Sequence, residues 1–179
     1  MATAPNVIAA GPIELRRWST DALDELMNAI ERSHAELATW MPWANPLPTR
    51  DEELAAVTSG MRDFDDGIAF HYFLFGVESG ELVGGASLLP TEDENVMQIG
   101  YWVRSDRTGC GYASAAASAL TTLALRDLHL SAVEIRMDCG NLASAAIPPK
   151  LGYVLAREET REIIAPGHTG KGFIWRLEA

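Results

Sequence analysis

The chain has 179 residues, of which 47% are hydrophobic and 22% are charged, a composition that fits one globular domain and argues against disorder. Its formal net charge of −11 argues against broad contact with nucleic-acid backbones, because proteins that bind them present basic surfaces. One anionic ligand remains compatible with this charge if backbone amides hold it.

The first third of the chain predicts one strand followed by two helices. Residues 1–11 are small and mixed, and we expect them to form a loose N-terminal segment. Pro12–Trp18 alternates apolar and longer polar residues, which predicts a strand. Helical spacing of apolar residues predicts a helix within Thr20–Met41. Thr49–Phe64 opens with the spacing of a capping box and predicts the second helix.

Three consecutive strands are predicted in the middle of the chain. Ala69–Val77 is aromatic and β-branched, and a polar turn separates it from Leu82–Leu89, so the two segments predict a hairpin. Asn95–Arg104 follows an acidic turn and predicts the next strand.

The last third alternates helices and strands. It predicts a helix over the alanine-rich Tyr112–Leu128, a strand over Ser131–Cys139, a short helix over Leu142–Ile147, and closing strands over Tyr153–Ile164 and Lys171–Leu177. The element order is that of a mixed α/β plan, and residues 1–179 are therefore expected to form a single domain.

No targeting or spanning segment is expected. The N-terminus lacks a basic start followed by a long apolar run, and no stretch of about 18 apolar residues occurs. Cys110 and Cys139 are the only two cysteines and indicate no disulfide framework. The sequence therefore predicts a protein of the reducing cytoplasm with neither membrane nor nucleic acid as partner.

A glycine loop between a strand and a helix carries the first functional motif. In Ile99–Ala116, IGYWVRSDRTGCGYASAA, the strand ends, the loop follows and the alanine-rich helix begins. The first amides of a helix have no intrahelical partner, and Gly109 and Gly111 let a phosphate approach them closely. A dinucleotide-binding loop is disfavoured, because Ser114 stands at the third glycine position. A tight turn that merely starts a helix is the alternative interpretation.

A second motif follows the next strand and identifies a resemblance. Asn141–Ser144 (NLAS) and Lys150–Tyr153 (KLGY) come after the glycine loop in the order in which the GNAT superfamily of N-acetyltransferases carries such runs. Glu14–Trp18 and Ser33–Trp43 resemble the ribosomal-protein N-terminal acetyltransferase (RimJ/RimL-like) branch. The resemblance covers Pro12–Leu177. It implies a mostly antiparallel sheet of about seven strands, splayed between the fourth and fifth strands and flanked by helices.

The resemblance implies acetyl-CoA as co-substrate and no metal. Backbone groups at Trp102 and Val103 would bind the pantetheine arm, the loop amides would hold the pyrophosphate, and the Asn141 side chain would hydrogen-bond the cofactor. Arg104 and Arg107 flank the loop and either neutralise phosphate or are ordinary surface arginines. The expected cofactor-binding residues are Trp102, Val103, Thr108, Gly109, Cys110, Gly111, Tyr112, Ala113, Ser114 and Asn141.

For catalysis, the resemblance implies that Ser144 donates a hydrogen bond or proton to the departing thiolate, and that Glu162 is the candidate general base. Gln98 stands where many members place a glutamate base, and an amide can only orient water or substrate. Pro148 stands where other branches place a tyrosine acid, so that acid is missing. Further residues considered for the base are Glu92, Glu94, His34 and His71.

The acceptor is expected to be a primary amine, preferably the α-amino group of a peptide or protein. Trp40 and Trp43, with the proline between them, would form the acceptor wall, and Gln98 would contact the substrate. Two alternatives are a small-amine acetyltransferase, for a polyamine, amino acid or aminoglycoside, and a non-catalytic acyl-CoA-binding module. A homodimer is left open.

Overall fold

The computed structural model describes residues 4–179 and contains one eight-stranded sheet with four α-helices. The strands are β1 (Val7–Ala10), β2 (Ile13–Arg17), β3 (Phe70–Gly76), β4 (Leu82–Pro90), β5 (Val96–Val103), β6 (Ala132–Asp138), β7 (Val154–Thr160) and β8 (Lys171–Glu178). The helices are α1 (Leu23–Trp40), α2 (Arg50–Asp65), α3 (Tyr112–Thr122) and α4 (Leu142–Ala145). A π-helical segment, Leu123–Asp127, continues α3.

The sheet has the order β1-β2-β3-β4-β5-β6-β8-β7, and every neighbouring pair is antiparallel except β5 and β6, which are parallel. The predicted mixed α/β fold with a mostly antiparallel sheet is therefore confirmed. The capping box that predicts α2 is also present, with the Thr49 hydroxyl accepting from the Glu52 amide and the Glu52 carboxylate accepting from the Thr49 amide.

The N-terminal segment differs from the prediction. Residues 7–10 are not loose, because β1 pairs along its whole length with β2, from Val7 opposite Arg16 to Ala10 opposite Ile13. Gly11 turns the chain with a φ of +60° and makes this short hairpin possible. The part of the prediction that concerns residues 1–3 lies outside the described residues.

Helices cover both faces of the sheet. Helix α3 packs against one face over a core that includes Leu15, Leu74 and Ile99. Helix α1 packs against the opposite face with Phe73, Leu82 and their neighbours. Because side chains alternate along a strand, Ile99, Tyr101 and Val103 of β5 point to the α3 face, whereas Trp102 packs with the α1 core. No helix within residues 4–179 has the length and apolar character needed to cross a bilayer.

The sheet opens where β5 and β6 diverge. Val96–Ile99 pairs with Ala132–Ile135, and the pairing stops there although both strands continue. β5 stays paired with β4 as far as Val103, and β6 stays paired with β8 as far as Asp138. The divergence leaves one edge of residues 100–103 without a strand neighbour, so its backbone groups are available to another partner.

Candidate functional site

Two cavities meet in the gap between β5 and β6. One, of about 480 Å³, lies at the glycine loop and is called here the loop cavity. The other, of about 350 Å³, lies between β6 and the segment 161–168 and is called here the hairpin cavity. The residues that line both are Trp40, Met41, Tyr101, Asn141 and Ser144. A ligand in the loop cavity can therefore contact one in the hairpin cavity at these residues.

The glycine loop forms one wall of the loop cavity. Gly109 and Gly111 have φ values of +77° and +78°, which glycine adopts without strain, and Gly111 is the residue from which α3 starts. A Cβ atom added at either glycine would meet no atom within 4 Å, so the space in front of the loop is open. The first amides of α3 thus lie beside open space, and their binding of an anion stays a prediction.

The predicted loop residues divide into two groups. Those that line the loop cavity are Trp102, Val103, Thr108, Gly109, Gly111, Tyr112, Ala113 and Ser114. Cys110 is exposed and does not line the cavity, and its thiol lies 3.8 Å from the carbonyl oxygen of Thr108. The structure therefore brings all of the predicted loop residues except Cys110 to one cavity wall.

The two arginines beside the loop have different environments. Arg104 is buried, and its guanidinium contacts the carboxylate of Asp106 at 2.6 Å and that of Glu81 at 3.1 Å. Arg107 lines the loop cavity and contacts Glu81 at 2.7 Å. Hydrogen bonds from Arg107 and Arg104 hold the pKa of the Glu81 carboxyl below its ordinary value. Arg104 is thus a structural ion-pair partner, and Arg107 and Lys150 are the cations that line the cavity.

Ser144 and Tyr101 form a hydroxyl pair where the cavities meet. The Tyr101 phenol lies 3.1 Å from Ser144 Oγ and 3.3 Å from the Ser144 carbonyl oxygen. Asn141 caps α4 by accepting a hydrogen bond from the Ser144 amide at 3.1 Å, which fixes the backbone of Ser144. Burial raises the pKa of Tyr101, and its hydrogen bond with Ser144 offsets part of that rise.

Tyr101 is a site residue that the sequence reasoning missed. The signal was available in the alternation of β5, because Tyr101 shares a face with Ile99 two residues before it. The alternation of side chains along β5 predicts which face of the sheet Tyr101 occupies, but it does not predict its hydrogen-bond partner. That partner, Ser144, lies 43 residues further along the chain in α4.

The segment between β7 and β8 closes the hairpin cavity. Buried Asp138, the last residue of β6, accepts hydrogen bonds from the Gly140 amide at 2.8 Å and from the amide and hydroxyl of Thr169, both at 2.9 Å. The Gly167 amide donates to the Thr39 carbonyl at 2.8 Å. His168 Nε2 donates to the Trp40 carbonyl at 3.0 Å. These bonds tie the segment to β6 and to the end of α1.

The charge of Asp138 is favoured by its contacts. Burial acts to raise its pKa, but the hydrogen bonds from Gly140 and Thr169 outweigh burial and hold the pKa below its ordinary value. Since these bonds occupy both carboxylate oxygens, Asp138 is a structural acceptor.

Glu162, the predicted base, is exposed and lines the hairpin cavity. The closing strand predicted to reach Ile164 ends at Thr160, because the chain leaves β8 there to form this wall.

The predicted acceptor residues are not all brought together. Trp40 lines both cavities. Trp43 is 43% exposed and lines neither cavity, but its ring lies 6.2 Å from that of Trp102. Gln98 lies in β5 opposite Leu89 and Glu134 and also lines neither.

The other residues considered for the base have partners elsewhere. Glu92 pairs with Arg136, the His71 ring contacts the Ser87 hydroxyl, and His34 donates to the Ala44 carbonyl. None of these residues lines either cavity, and nor does Glu94. Burial lowers the pKa of His71. Of the three carboxylates considered for the base, Glu92, Glu94 and Glu162, only Glu162 lines a cavity in the described part of the chain, residues 4–179.

Comparison with known proteins gives consistent matches. The family model described as "Acetyltransferase (GNAT) domain" matches residues 13–154. YdaF of Bacillus subtilis (strain 168), described as a candidate ribosomal N-acetyltransferase, is 28% identical over 149 residues, which cover 79% of this chain and 78% of that protein.

Solved structures share the fold at lower sequence identity. RimL, an α-N-protein acetyltransferase of ribosomal protein L7/L12, in complex with coenzyme A, has a TM-score of 0.88 and 21% identity, covering 96% of this chain and 97% of that chain. MccE, the microcin C7 self-immunity acetyltransferase with acetyl-CoA and AMP, has a TM-score of 0.87 and 18% identity and covers 99% of each chain. RimJ of Mycobacterium smegmatis, in complex with CoA-disulfide, has a TM-score of 0.83 and 20% identity, covering 97% of this chain and 85% of that chain.

Proposed function

The chain belongs to the GNAT acetyltransferase family, and we propose that it transfers the acetyl group of acetyl-CoA to the α-amino group of a peptide or protein. The family establishes an acyltransferase that uses acetyl-CoA, and the acceptor class is our proposal. The observation that carries direct transfer is the meeting of two cavities at Ser144, because donor and acceptor must be bound at the same time.

The loop cavity suits acetyl-CoA. The unpaired edge of residues 100–103 offers backbone groups to the amide-rich pantetheine arm, in the manner of an added strand. The amides from Gly109 to Ala113 suit the pyrophosphate, and Lys150 adds positive charge at the same wall, where the charge of Arg107 is paired with Glu81. Local amides thus provide most of the anion site within a protein of net charge −11.

The hairpin cavity suits the amine. Its lining includes Glu162 and the apolar residues Trp40 and Ile164, together with Arg136, which is paired with Glu92 and Glu134, and Arg161, which is paired with Glu159. An α-amino group has a pKa near 8, so an appreciable fraction is neutral at physiological pH and only modest assistance from a base is required. The description of YdaF as a candidate ribosomal N-acetyltransferase and of RimL as an α-N-protein acetyltransferase supports a protein N-terminus as acceptor.

The proposed reaction is a direct attack. The amine nitrogen attacks the thioester carbonyl carbon, the C–N bond forms, and the C–S bond breaks with its electron pair leaving on sulfur. Glu162, directly or through a water molecule, takes the proton that the amine loses. The Ser144 hydroxyl donates a hydrogen bond to the departing thiolate, which stabilises the charge that develops there.

The test is turnover of acetyl-CoA with a panel of peptides that differ in their first residue, assayed by release of free thiol and by the mass of the peptide. We expect N-terminal acetylation of at least one peptide and none of peptides with a blocked α-amine. Turnover only with polyamines, amino acids or aminoglycosides would refute the acceptor class. Acetyl-CoA binding without turnover of any amine would indicate the non-catalytic alternative.

Location and assembly are further proposals. We infer a cytoplasmic location because YdaF and RimL are described as acetyltransferases of ribosomal proteins, which are synthesised there, and fractionation of cells tests this inference. The homodimer stays a prediction, which light scattering of the purified protein measures directly.

A further inference from the structure

The Tyr101 side chain occupies the point at which the loop cavity and the hairpin cavity meet. It comes from the part of β5 that has already separated from β6, so its backbone lies at the open edge of the sheet. Its phenol contacts both the hydroxyl and the carbonyl of Ser144 across the gap to α4. These contacts connect the divergent strand to the residue proposed to face the leaving sulfur.

The hydrogen-bonding capacity of the pair restricts its arrangements. The phenol has one proton, and the Ser144 carbonyl at 3.3 Å can only accept it. The Ser144 hydroxyl at 3.1 Å can either donate to the phenol or accept from it. If Ser144 turns its own proton towards the cavity, its oxygen can only accept in the contact with Tyr101, and the Tyr101 proton is the one within reach.

We propose that Tyr101 is a positioning residue for acetyl transfer: its phenol donates a hydrogen bond to Ser144 Oγ and thereby directs the Ser144 proton to the departing sulfur. The inference rests on the proposed function. The C–N bond forms and the C–S bond breaks as described above, and the electron pair stays on sulfur. No proton needs to leave Tyr101, because both hydroxyls act as hydrogen-bond donors in series, and linked hydrogen bonds strengthen one another.

The local structure favours this arrangement. Because burial raises the pKa of Tyr101, the phenol keeps its proton throughout the neutral range and is always able to donate. Pro148 is buried and has no hydrogen-bond donor, so no side chain at that position replaces the phenol. An isolated serine hydroxyl is free to rotate, whereas one that accepts from Tyr101 has a restricted direction for its own proton.

The experiment is a double-mutant cycle on the full-length protein, with Tyr101→Phe, Ser144→Ala and the double variant assayed at saturating acetyl-CoA and acceptor. We expect Ser144→Ala to lower kcat about 100-fold, and Tyr101→Phe to lower it about tenfold. The double variant should be no slower than Ser144→Ala alone, because Tyr101 acts through Ser144. The Kd for acetyl-CoA, measured by calorimetry, should stay unchanged in Tyr101→Phe.

Tyr153→Phe is the matched control. Tyr153 also carries a buried phenol paired with a hydroxyl, that of Thr121 at 2.6 Å, but it lines neither cavity. We expect this variant to lose stability and to keep its kcat.

The possible outcomes separate this inference from the proposed function. Equal kcat values for Tyr101→Phe and Tyr153→Phe would overturn the inference, as would a tenfold effect of Tyr101→Phe that persists in the Ser144→Ala background. Neither result would affect the proposed function. If the wild-type protein acetylates only a small amine, the proposal of a peptide or protein acceptor is refuted. The double-mutant cycle of Tyr101 and Ser144 is then run with that amine. Absence of turnover with every amine would overturn both.

Discussion

The replacement Asp138→Asn tests whether the segment 161–170 positions the acceptor. In the wild type, Asp138 accepts three hydrogen bonds, one from Gly140 and two from Thr169. Asparagine has nearly the same shape but only one acceptor oxygen, so its amide nitrogen must face at least one of the former donors. The replacement thus loosens the connection of this segment to β6 without creating a cavity.

The expected size of the effect follows from these contacts. Losing the charge-assisted bond and leaving one donor without an acceptor costs about 2 kcal/mol of unfolding free energy. For a domain of this length, that corresponds to a decrease in Tm of about 4–8 °C. An acceptor that binds only when the segment is held against β6 would lose at most about 30-fold in affinity, the factor that corresponds to about 2 kcal/mol.

The assays are thermal unfolding, the KM for the acceptor peptide and the Kd for acetyl-CoA. We expect a lower Tm, a higher acceptor KM and an unchanged Kd, because the segment borders the hairpin cavity and not the loop cavity. Thr49→Ala is the control: it removes the capping box of α2, outside both cavities, and should cost about 1 kcal/mol with no change in KM. A lower Tm with an unchanged acceptor KM would refute the positioning role.

The same variant has a pH signature with a definite sign. The hydrogen bonds hold the folded-state pKa of Asp138 below its ordinary value despite the opposing effect of burial. Its contribution to stability is therefore complete above about pH 4 and is lost as the pH falls through the lower folded-state value. The difference in unfolding free energy between wild type and Asp138→Asn should shrink in acid. A difference that stays constant down to pH 2 would contradict the assignment.

Three further predictions concern the two cavities and the loop. Gly111→Ala should destabilise the fold by about 1 kcal/mol, because Gly111 has a φ of +78°, and should weaken acetyl-CoA binding measured by calorimetry; an unchanged Kd would argue against the amide cradle. Glu162→Gln should lower kcat about 100-fold at an unchanged Kd for acetyl-CoA, and a wild-type kcat would assign the base to another group. Arg104→Met should reduce the unfolding free energy in urea by about 2 kcal/mol, less than for a fully buried pair because Glu81 and Asp106 are half-exposed. A stable Arg104→Met variant with weakened acetyl-CoA binding would instead indicate a phosphate contact.

Local chemistry in the sequence determined most of the elements and the loop. The capping box at Thr49, the aromatic hairpin strands and the glycine loop before α3 each depend on residues close together in the chain, so pattern and spacing were enough to predict them. The short strand β1 was missed because its four residues carry little periodicity and are ordered by pairing with β2.

The glycine loop was predictable for the same reason. The anion binding proposed for it depends on backbone amides at the start of a helix, and Gly109 and Gly111 mark that start directly in the sequence. The predicted residues Thr108 and Tyr112–Ser114 then lie at the cavity by continuity of the chain.

Only the tertiary structure decided how the two cavities join. Tyr101 and Ser144 are 43 residues apart, and their contact depends on where β5 leaves β6 and on how α4 is placed against the gap. The same divergence leaves Gln98 in the paired part of β5, away from both cavities. Residue types and spacing determine which strand and face a side chain occupies, but the register at which two strands separate is set by the packing of the whole sheet.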